Sequence, residues 1–172
     1  MNDRMSKNRK LKTVAVVLAL ITFLAALLCV YLLANAHLTV IAKSRAEYSA
    51  EEFQEGQAFA SLQVYMEENA VPGIVFRNET LGDPDQYRFA VYTLRLRNND
   101  LISAETVECR ILPQEDDILM YAADDETIIP GGQERDVRVV LLTREGSGNV
   151  RDIRVSCYYW GHREEMTFTY AP

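Results

Sequence analysis

The sequence predicts a mainly β protein, in which an N-terminal membrane helix and a short stalk precede an antiparallel β-sandwich of about seven strands. Three observations support this fold class. Residues 13–34 form an apolar run without a charge, Gly or Pro. From Tyr87 onward, short segments alternate apolar and polar side chains, as half-buried strands do. Turn clusters rich in Gly, Pro, Asn and Asp separate these segments, with no helical interval among them.

The apolar run has the length of one membrane crossing. As a helix it would rise about 33 Å, against a hydrocarbon core of about 30 Å. Five basic residues precede it, whereas only Lys43 and Arg45 follow it closely. The positive-inside rule therefore predicts a cytoplasmic tail at 1–12, a transmembrane helix at 13–35 that contacts the lipid bilayer, and an extracytoplasmic domain beyond it.

A cleaved signal peptide is the alternative interpretation of the same run. Ala34-Asn35-Ala36 supplies the small-x-small pattern that a signal peptidase requires. Cleavage there would release a soluble secreted domain. The run is longer than the usual apolar region of a signal peptide, about 7–15 residues, and this favours the anchor.

The chain beyond residue 36 is acidic and long enough for one domain. It carries 13 basic and 24 acidic residues, a formal charge of −11. Such a charge disfavours nucleic acid as a partner. Nearly all of its basic residues are Arg that alternate with apolar residues, so we expect them on the wet face of a sheet.

Residues 36–56 are predicted to be a stalk that is partly helical. Ser49 and Glu52 have the S-x-x-E spacing of a capping box, and the helix would end near Gly56. The following residues, 57–69, fit either a strand or a helix, because their apolar positions satisfy both periods. We favour a first strand there, which places the sandwich at 57–172.

The remaining strands follow from alternation and turn chemistry. Residues 74–76 suit a short edge strand, 118–121 suit another short strand, and the last two strands form a hairpin with its turn at Gly161-His162-Arg163. The side chains predicted to point into the core are Tyr92, Leu94, Leu96, Val107, Cys109, Ile111, Val137, Val139, Leu141, Ile153, Val155, Cys157 and Tyr159.

Three segments resemble small immunoglobulin-like sandwiches of bacterial surface proteins, including the CARDB and NEW3 types. They are Leu94-Arg95-Leu96-Arg97-Asn98-Asn99-Asp100, Ile129-Pro130-Gly131-Gly132 followed by Val137-Arg138-Val139, and Val155-Ser156-Cys157-Tyr158-Tyr159-Trp160-Gly161. The resemblance covers roughly residues 87–172. It implies an immunoglobulin-like sandwich with an adhesive, accessory or scaffolding role, and it transfers no active site.

Cys109 and Cys157 are the candidate disulfide. Both lie on predicted inward faces. If their strands face each other across the sandwich, a bridge would contribute about 3–4 kcal/mol. The alternative is two free thiols that fill core space, and the sequence leaves both open.

The sequence predicts no cofactor and no metal centre. Its two histidines, His37 and His162, are too few for a zinc site with several His ligands. The acidic runs Glu115-Asp116-Asp117 and Asp124-Asp125-Glu126 flank one short strand and offer oxygen ligands for Ca²⁺, but without EF-hand spacing. Solvated loop charge is the favoured interpretation of both runs.

We also expect no enzymatic activity. Ser156 and Cys157 are close to His162 in sequence, but a strand residue and a turn residue of one hairpin point in different directions. The sequence contains no G-x-S-x-G elbow that would expose a nucleophilic serine.

An aromatic patch is the candidate interaction surface. Tyr158 and Trp160 share the face opposite the inward residues of their strand, and Tyr121 is a third candidate. Exposed aromatic side chains suit a protein partner or a sugar. The alternative is that a second layer, from residues 60–66 or the stalk, covers them.

Together these patterns predict a single-pass membrane protein whose extracytoplasmic sandwich works by non-catalytic interaction. We expect it to bind a protein partner in the cell envelope as an accessory subunit. The alternative is a secreted domain, released at Ala36, that binds carbohydrate or a cation.

Overall fold

Two units make up the chain, one ending at Ala36 and one beginning at His37. The computed structural model describes residues 2–35, 37–123 and 127–171. In chain order the α-helices and strands are α1 (Asn2–Asn35), β1 (Leu38–Ser49), α2 (Gln57–Glu67), β2 (Ile74–Val75), β3 (Tyr87–Asn98), β4 (Ala104–Ile111), β5 (Asp117–Ala122), β6 (Thr127–Ile129), β7 (Glu134–Arg144), β8 (Arg151–Tyr159) and β9 (His162–Tyr170). Two short 3-10 helices, Phe53–Gly56 and Pro84–Gln86, precede α2 and β3.

The first unit is the helix α1. Its segment Leu11–Leu32 has a mean hydropathy of 2.9, so it is long and apolar enough to cross a membrane. The helix predicted at 13–35 is therefore present, and α1 begins earlier, at Asn2.

The second unit is a sandwich of two antiparallel sheets, as predicted. The five-stranded sheet has the order β1-β3-β7-β5-β2, and the four-stranded sheet has the order β6-β4-β8-β9. The described residues thus contribute nine strands, against about seven expected from the sequence.

The core between the sheets includes the side chains that alternation predicted. All thirteen of the predicted inward residues are at most 7% exposed. A strand has a side-chain period of two, so identifying one apolar face assigns every residue of the strand to a side. Alternation therefore identified this apolar part of the core.

The strand predicted within residues 57–69 is wrong, because this segment forms the helix α2. Phe59, Leu62 and Met66 are buried, and these positions lie on one helical stripe. Val64, which the strand pattern required inside, is 51% exposed. The buried stripe packs on the outer face of the five-stranded sheet, in a cluster with Phe89 of β3.

The predicted stalk is also wrong, because residues 38–49 form β1 at the edge of the five-stranded sheet. The strand pairs with β3 from Leu38 opposite Asn98 to Ser49 opposite Arg88, with a bulge between Val40 and Ala42. Most of its side chains are exposed or half-buried, so it lacks the apolar alternation by which a strand is recognised.

The capping spacing at the end of β1 leads only to a short 3-10 helix, Phe53–Gly56, which ends where the predicted helix was expected to end. The backbone N–H of Glu52 donates to the Ser49 hydroxyl at 3.2 Å. The backbone then becomes left-handed at Gln54, Glu55 and Gly56, and α2 begins only at Gln57.

Candidate interaction surface

The hairpin formed by β8 and β9 presents the most exposed aromatic residue of the sandwich. Tyr159 pairs with His162, so Trp160 and Gly161 alone form the turn. Their φ angles are 48° and 79°. Two positive φ angles define a type I′ turn, whose twist matches that of the flanking strands. The turn predicted at Gly161-His162-Arg163 thus begins one residue earlier.

Tyr158 and Trp160 form the surface that we call the hairpin surface. Tyr158 is 36% exposed and Trp160 is 56% exposed. Tyr158 lies on the outer face of the four-stranded sheet, between Glu105 of β4 and Arg163 of β9. Among the described residues, neither α2 nor β1 covers this face, because both belong to the five-stranded side.

Tyr121 does not belong to the hairpin surface, so this part of the predicted patch is wrong. It lies on β5 of the five-stranded sheet, opposite Val140, and packs against the α2 cluster. Burial raises the pKa of its phenol. The alternation of a single strand places a residue on a face, but it does not say which sheet that strand joins.

A buried amide fixes the base of the hairpin. The Tyr159 hydroxyl donates to the side-chain oxygen of Asn98 at 3.1 Å, and the Asn98 amide nitrogen donates to the carbonyls of Ile102 and Ile129 at 2.7 and 2.9 Å. Burial raises the pKa of the Tyr159 phenol. The sequence indicated only turn chemistry at Asn98, and its burial depends on a partner 61 positions away.

The two cysteines are free thiols, and the disulfide is not formed. Their strands are neighbours in one sheet instead of facing each other across the sandwich, and Cys109 lies opposite Val155. Diagonal neighbours of this kind have Cα atoms about 7–8 Å apart, beyond the usual reach of a disulfide. Burial raises the pKa of Cys109 to about 12 and that of Cys157 to about 11, so neither is a ready nucleophile.

Cys109 also lines a cleft of about 270 Å³ between the sheets. The other wall carries Ile74, Met120 and Tyr121. The cleft is smaller than the sites of roughly 300–1,000 Å³ that hold drug-sized ligands. We therefore do not assign it the main recognition role.

An ion pair that the sequence did not indicate closes the other end of the core. Asp117 was expected to be solvated, and the arginines were expected on wet faces, yet Asp117 and Arg151 are both fully buried. The Arg151 Nη2 donates to Asp117 Oδ1 at 2.8 Å, and the backbone N–H of Gln114 donates to Asp117 Oδ2 at 2.8 Å. The pair joins β5 of one sheet to β8 of the other.

No cluster of three or more His, Cys, Asp or Glu side chains suited to a metal ion occurs within residues 2–35, 37–123 and 127–171. The acidic run Asp124-Asp125-Glu126, considered above for Ca²⁺, lies outside the described residues.

The residues considered for nucleophilic catalysis do not converge. Cys157 points into the core, Ser156 belongs to the opposite face of β8, and His162 is exposed with its Nε2 3.2 Å from a Glu164 oxygen.

Comparisons with known proteins identify no family. No family model and no curated protein matches the chain. Among solved structures, the chain is similar to a FixG-related protein from Vibrio parahaemolyticus, with 10% identity and a TM-score of 0.33. The match covers 75% of this chain and 93% of the Vibrio chain.

Proposed function

We propose that this protein is a membrane-anchored docking module. In this proposal α1 is a single-pass signal anchor in the cell membrane, and the sandwich lies outside and binds an envelope protein through the hairpin surface. No catalytic step is involved. The observation that carries the proposal is the state of Trp160, which is exposed and in a left-handed backbone conformation.

Trp160 weakens the turn that it occupies. The first central position of a type I′ turn favours Asn, Asp or Gly. For a larger residue this conformation costs about 1 kcal/mol or more. Because Trp160 is 56% exposed, its contacts within the chain offset little of this strain energy. Large exposed aromatic side chains are the residues that contribute most to protein interfaces, so a partner is the better explanation for this one.

The orientation of the anchor rests on charge. Arg4, Lys7, Arg9, Lys10 and Lys12 precede the apolar segment, and only Lys43 and Arg45 follow within a dozen residues. This asymmetry supports a cytoplasmic N-terminus and an extracytoplasmic sandwich.

The strand order supports an immunoglobulin-like classification. The strands β1-β3-β7-β5 opposite β4-β8-β9 have the arrangement of the ABED and CFG sheets of immunoglobulin constant-type domains, with β6 added beside β4. The resemblance of the sequence to CARDB and NEW3 domains, if it reflects the same class, would imply an adhesive, accessory or scaffolding role.

The test is a comparison of partners recovered from native membranes with tagged full-length variants. Trp160→Ala and Tyr158→Ala should each reduce recovery of a specific partner at least tenfold. Tyr65→Ala is the matched control, because Tyr65 is an exposed aromatic on the opposite side of the sandwich. Equal recovery of every partner with Trp160→Ala and Tyr65→Ala would contradict the docking function.

The secreted alternative uses the same two aromatic residues, because an exposed Trp and Tyr can also stack on a sugar ring. It requires cleavage at Ala36, which lies outside the described residues. The intact mass of the mature protein separates the two. A full-length mass in the membrane fraction supports the anchor, and loss of the first 36 residues with appearance in the medium supports the secreted binder.

A further inference from the structure

We propose that β9 is a self-association edge, at which a second copy of this chain adds its own β9 antiparallel. The two four-stranded sheets would then form one eight-stranded sheet. The proposal goes beyond the docking function and does not depend on it.

Among the four edge strands of the described sandwich, β9 is the one suited to pairing. β2 has two residues and β6 has three. β1 is long but carries a bulge between Val40 and Ala42, a common protection of sheet edges. β9 has nine residues and pairs with β8 at every position without a shift in register.

The hairpin geometry identifies the backbone groups of β9 that do not pair with β8. The two-residue turn makes Tyr159 and His162 a hydrogen-bonded pair, and such pairs alternate along an antiparallel ladder. The N–H and C=O groups of Arg163, Glu165, Thr167 and Thr169 therefore point away from β8. The Lys43 ammonium donates to one of them, the Thr169 carbonyl, at 3.4 Å. This agrees with the alternation, and a second copy of β9 would displace this hydrogen bond.

Charge and the number of outward residues that find a partner together select one symmetric register. A two-fold axis at Glu164 or Glu165 would place that carboxylate opposite its own copy, and an axis at Arg163 would do the same with two guanidinium groups. An axis at Met166 places Arg163 opposite Thr169 and Glu165 opposite Thr167. This register uses all four outward residues of each strand and opposes no like charges.

The same register covers apolar surface. Met166 and Phe168 are half-buried and line a groove of about 340 Å³ between β9 and β1. In the dimer, Met166 contacts its own copy and Phe168 lies opposite the stem of Glu164. Antiparallel neighbours in one sheet share their faces, so both hairpin surfaces would lie on the same side of the dimer.

Cysteine cross-linking of the full chain in membranes tests the register. The background carries Cys29→Ala, because Cys109 and Cys157 are buried and Cys29 is exposed. Met166→Cys places two thiols at the axis, where Cα atoms of a non-hydrogen-bonded pair are about 4.5 Å apart, within disulfide range. Phe168→Cys is the matched control, because its two copies would be about 14 Å apart.

Mild oxidation should convert most of the Met166→Cys protein, and little of the Phe168→Cys protein, into a disulfide-linked dimer. Adding Thr167→Pro should reduce the Met166→Cys dimer at least fivefold, because proline removes an outward N–H and leaves the bonds to β8 intact. Thr167→Ala keeps that N–H and should leave the dimer unchanged. No dimer from either cysteine, equal dimer from both, or a dimer unaffected by Thr167→Pro would each overturn the proposal.

Discussion

The outer faces of the two sheets differ in what covers them. The outer face of the five-stranded sheet is covered by α2, whose buried residues Phe59, Leu62 and Met66 pack in one cluster with Phe89 and Leu142 of the sheet. On the four-stranded sheet, the outer face presents charged residues and Tyr158 without a covering helix among the described residues. The first face contributes to stability through burial, and the second remains available for contact.

The strand β3 shows how the sequence encodes this difference. Its outward residues are apolar at Tyr87, Phe89 and Val91, where the α2 cluster lies, and become charged at Arg95 and Arg97. A strand with two apolar faces indicates that another element covers its outer face. The beginning of β3 therefore indicated a covering element, whereas the periodicity of residues 57–69 fitted a helix and a strand equally.

The largest effect should come from the core that both sheets share. Asp117→Ala leaves the buried Arg151 charge without its partner, and we expect a loss of about 3–5 kcal/mol in the free energy of unfolding. Urea denaturation followed by circular dichroism measures it. The double variant Asp117→Leu with Arg151→Met should lose much less, because it removes both buried charges. A loss below about 1 kcal/mol for Asp117→Ala would contradict the role of the ion pair.

Substitutions on the covered outer face should give the next-largest loss of stability. Phe59→Ala removes a buried ring from the contact between α2 and the sheet, and we expect a loss of about 3–4 kcal/mol in the same assay. Tyr65→Ala, on the exposed side of the same helix, should change stability by no more than about 0.5 kcal/mol. Equal effects of the two substitutions would mean that α2 does not contribute to the core.

The buried side of the four-stranded sheet should respond to alkaline pH. The pKa of Cys109 rises from 9.0 to about 12 and that of Cys157 from 9.0 to about 11. Above pH 9 the unfolded chain loses thiol protons that the folded chain keeps, so stability present below pH 9 falls as the pH rises toward 11. Between pH 8 and pH 10 we expect a loss on the order of 1 kcal/mol for each thiol. In a variant with Cys109→Ala and Cys157→Ala, the free energy of unfolding should depend less steeply on pH in this range. An unchanged pH dependence would contradict the assignment to the thiols.

Substitution in the hairpin surface should give the smallest change in the free energy of unfolding, and this change should be a gain. Trp160→Asn places a favoured residue in the type I′ turn and should raise stability by about 0.5–1 kcal/mol while reducing partner recovery. Gly161→Ala is the control. Its φ of 79° should make it destabilising, although the space around Gly161 is open. If Trp160→Asn destabilises the fold, then Trp160 supports the turn and the argument for a partner loses its basis.

The sequence predicted the longer strands from Tyr87 onward because each has an alternating apolar face toward the core and a turn cluster at its end. It did not predict β1, whose edge position leaves it few buried side chains. Within the site, Tyr158 and Trp160 were identified from local alternation. The contacts of Tyr159 with Asn98 and of Asp117 with Arg151 were not, because their partners are 61 and 34 positions apart and only the fold brings them together.

The early start of β1 has a consequence for the timing of any proteolytic maturation. Leu38 already pairs with Asn98, and the backbone N–H of Asn99 donates to the His37 carbonyl at 3.4 Å. The residues that follow Ala36 are therefore held in the sheet, whereas a signal peptidase needs an accessible chain on both sides of its cleavage site. Cleavage would have to occur during translocation, before β1 pairs with β3, so folding and processing would compete for the same few residues.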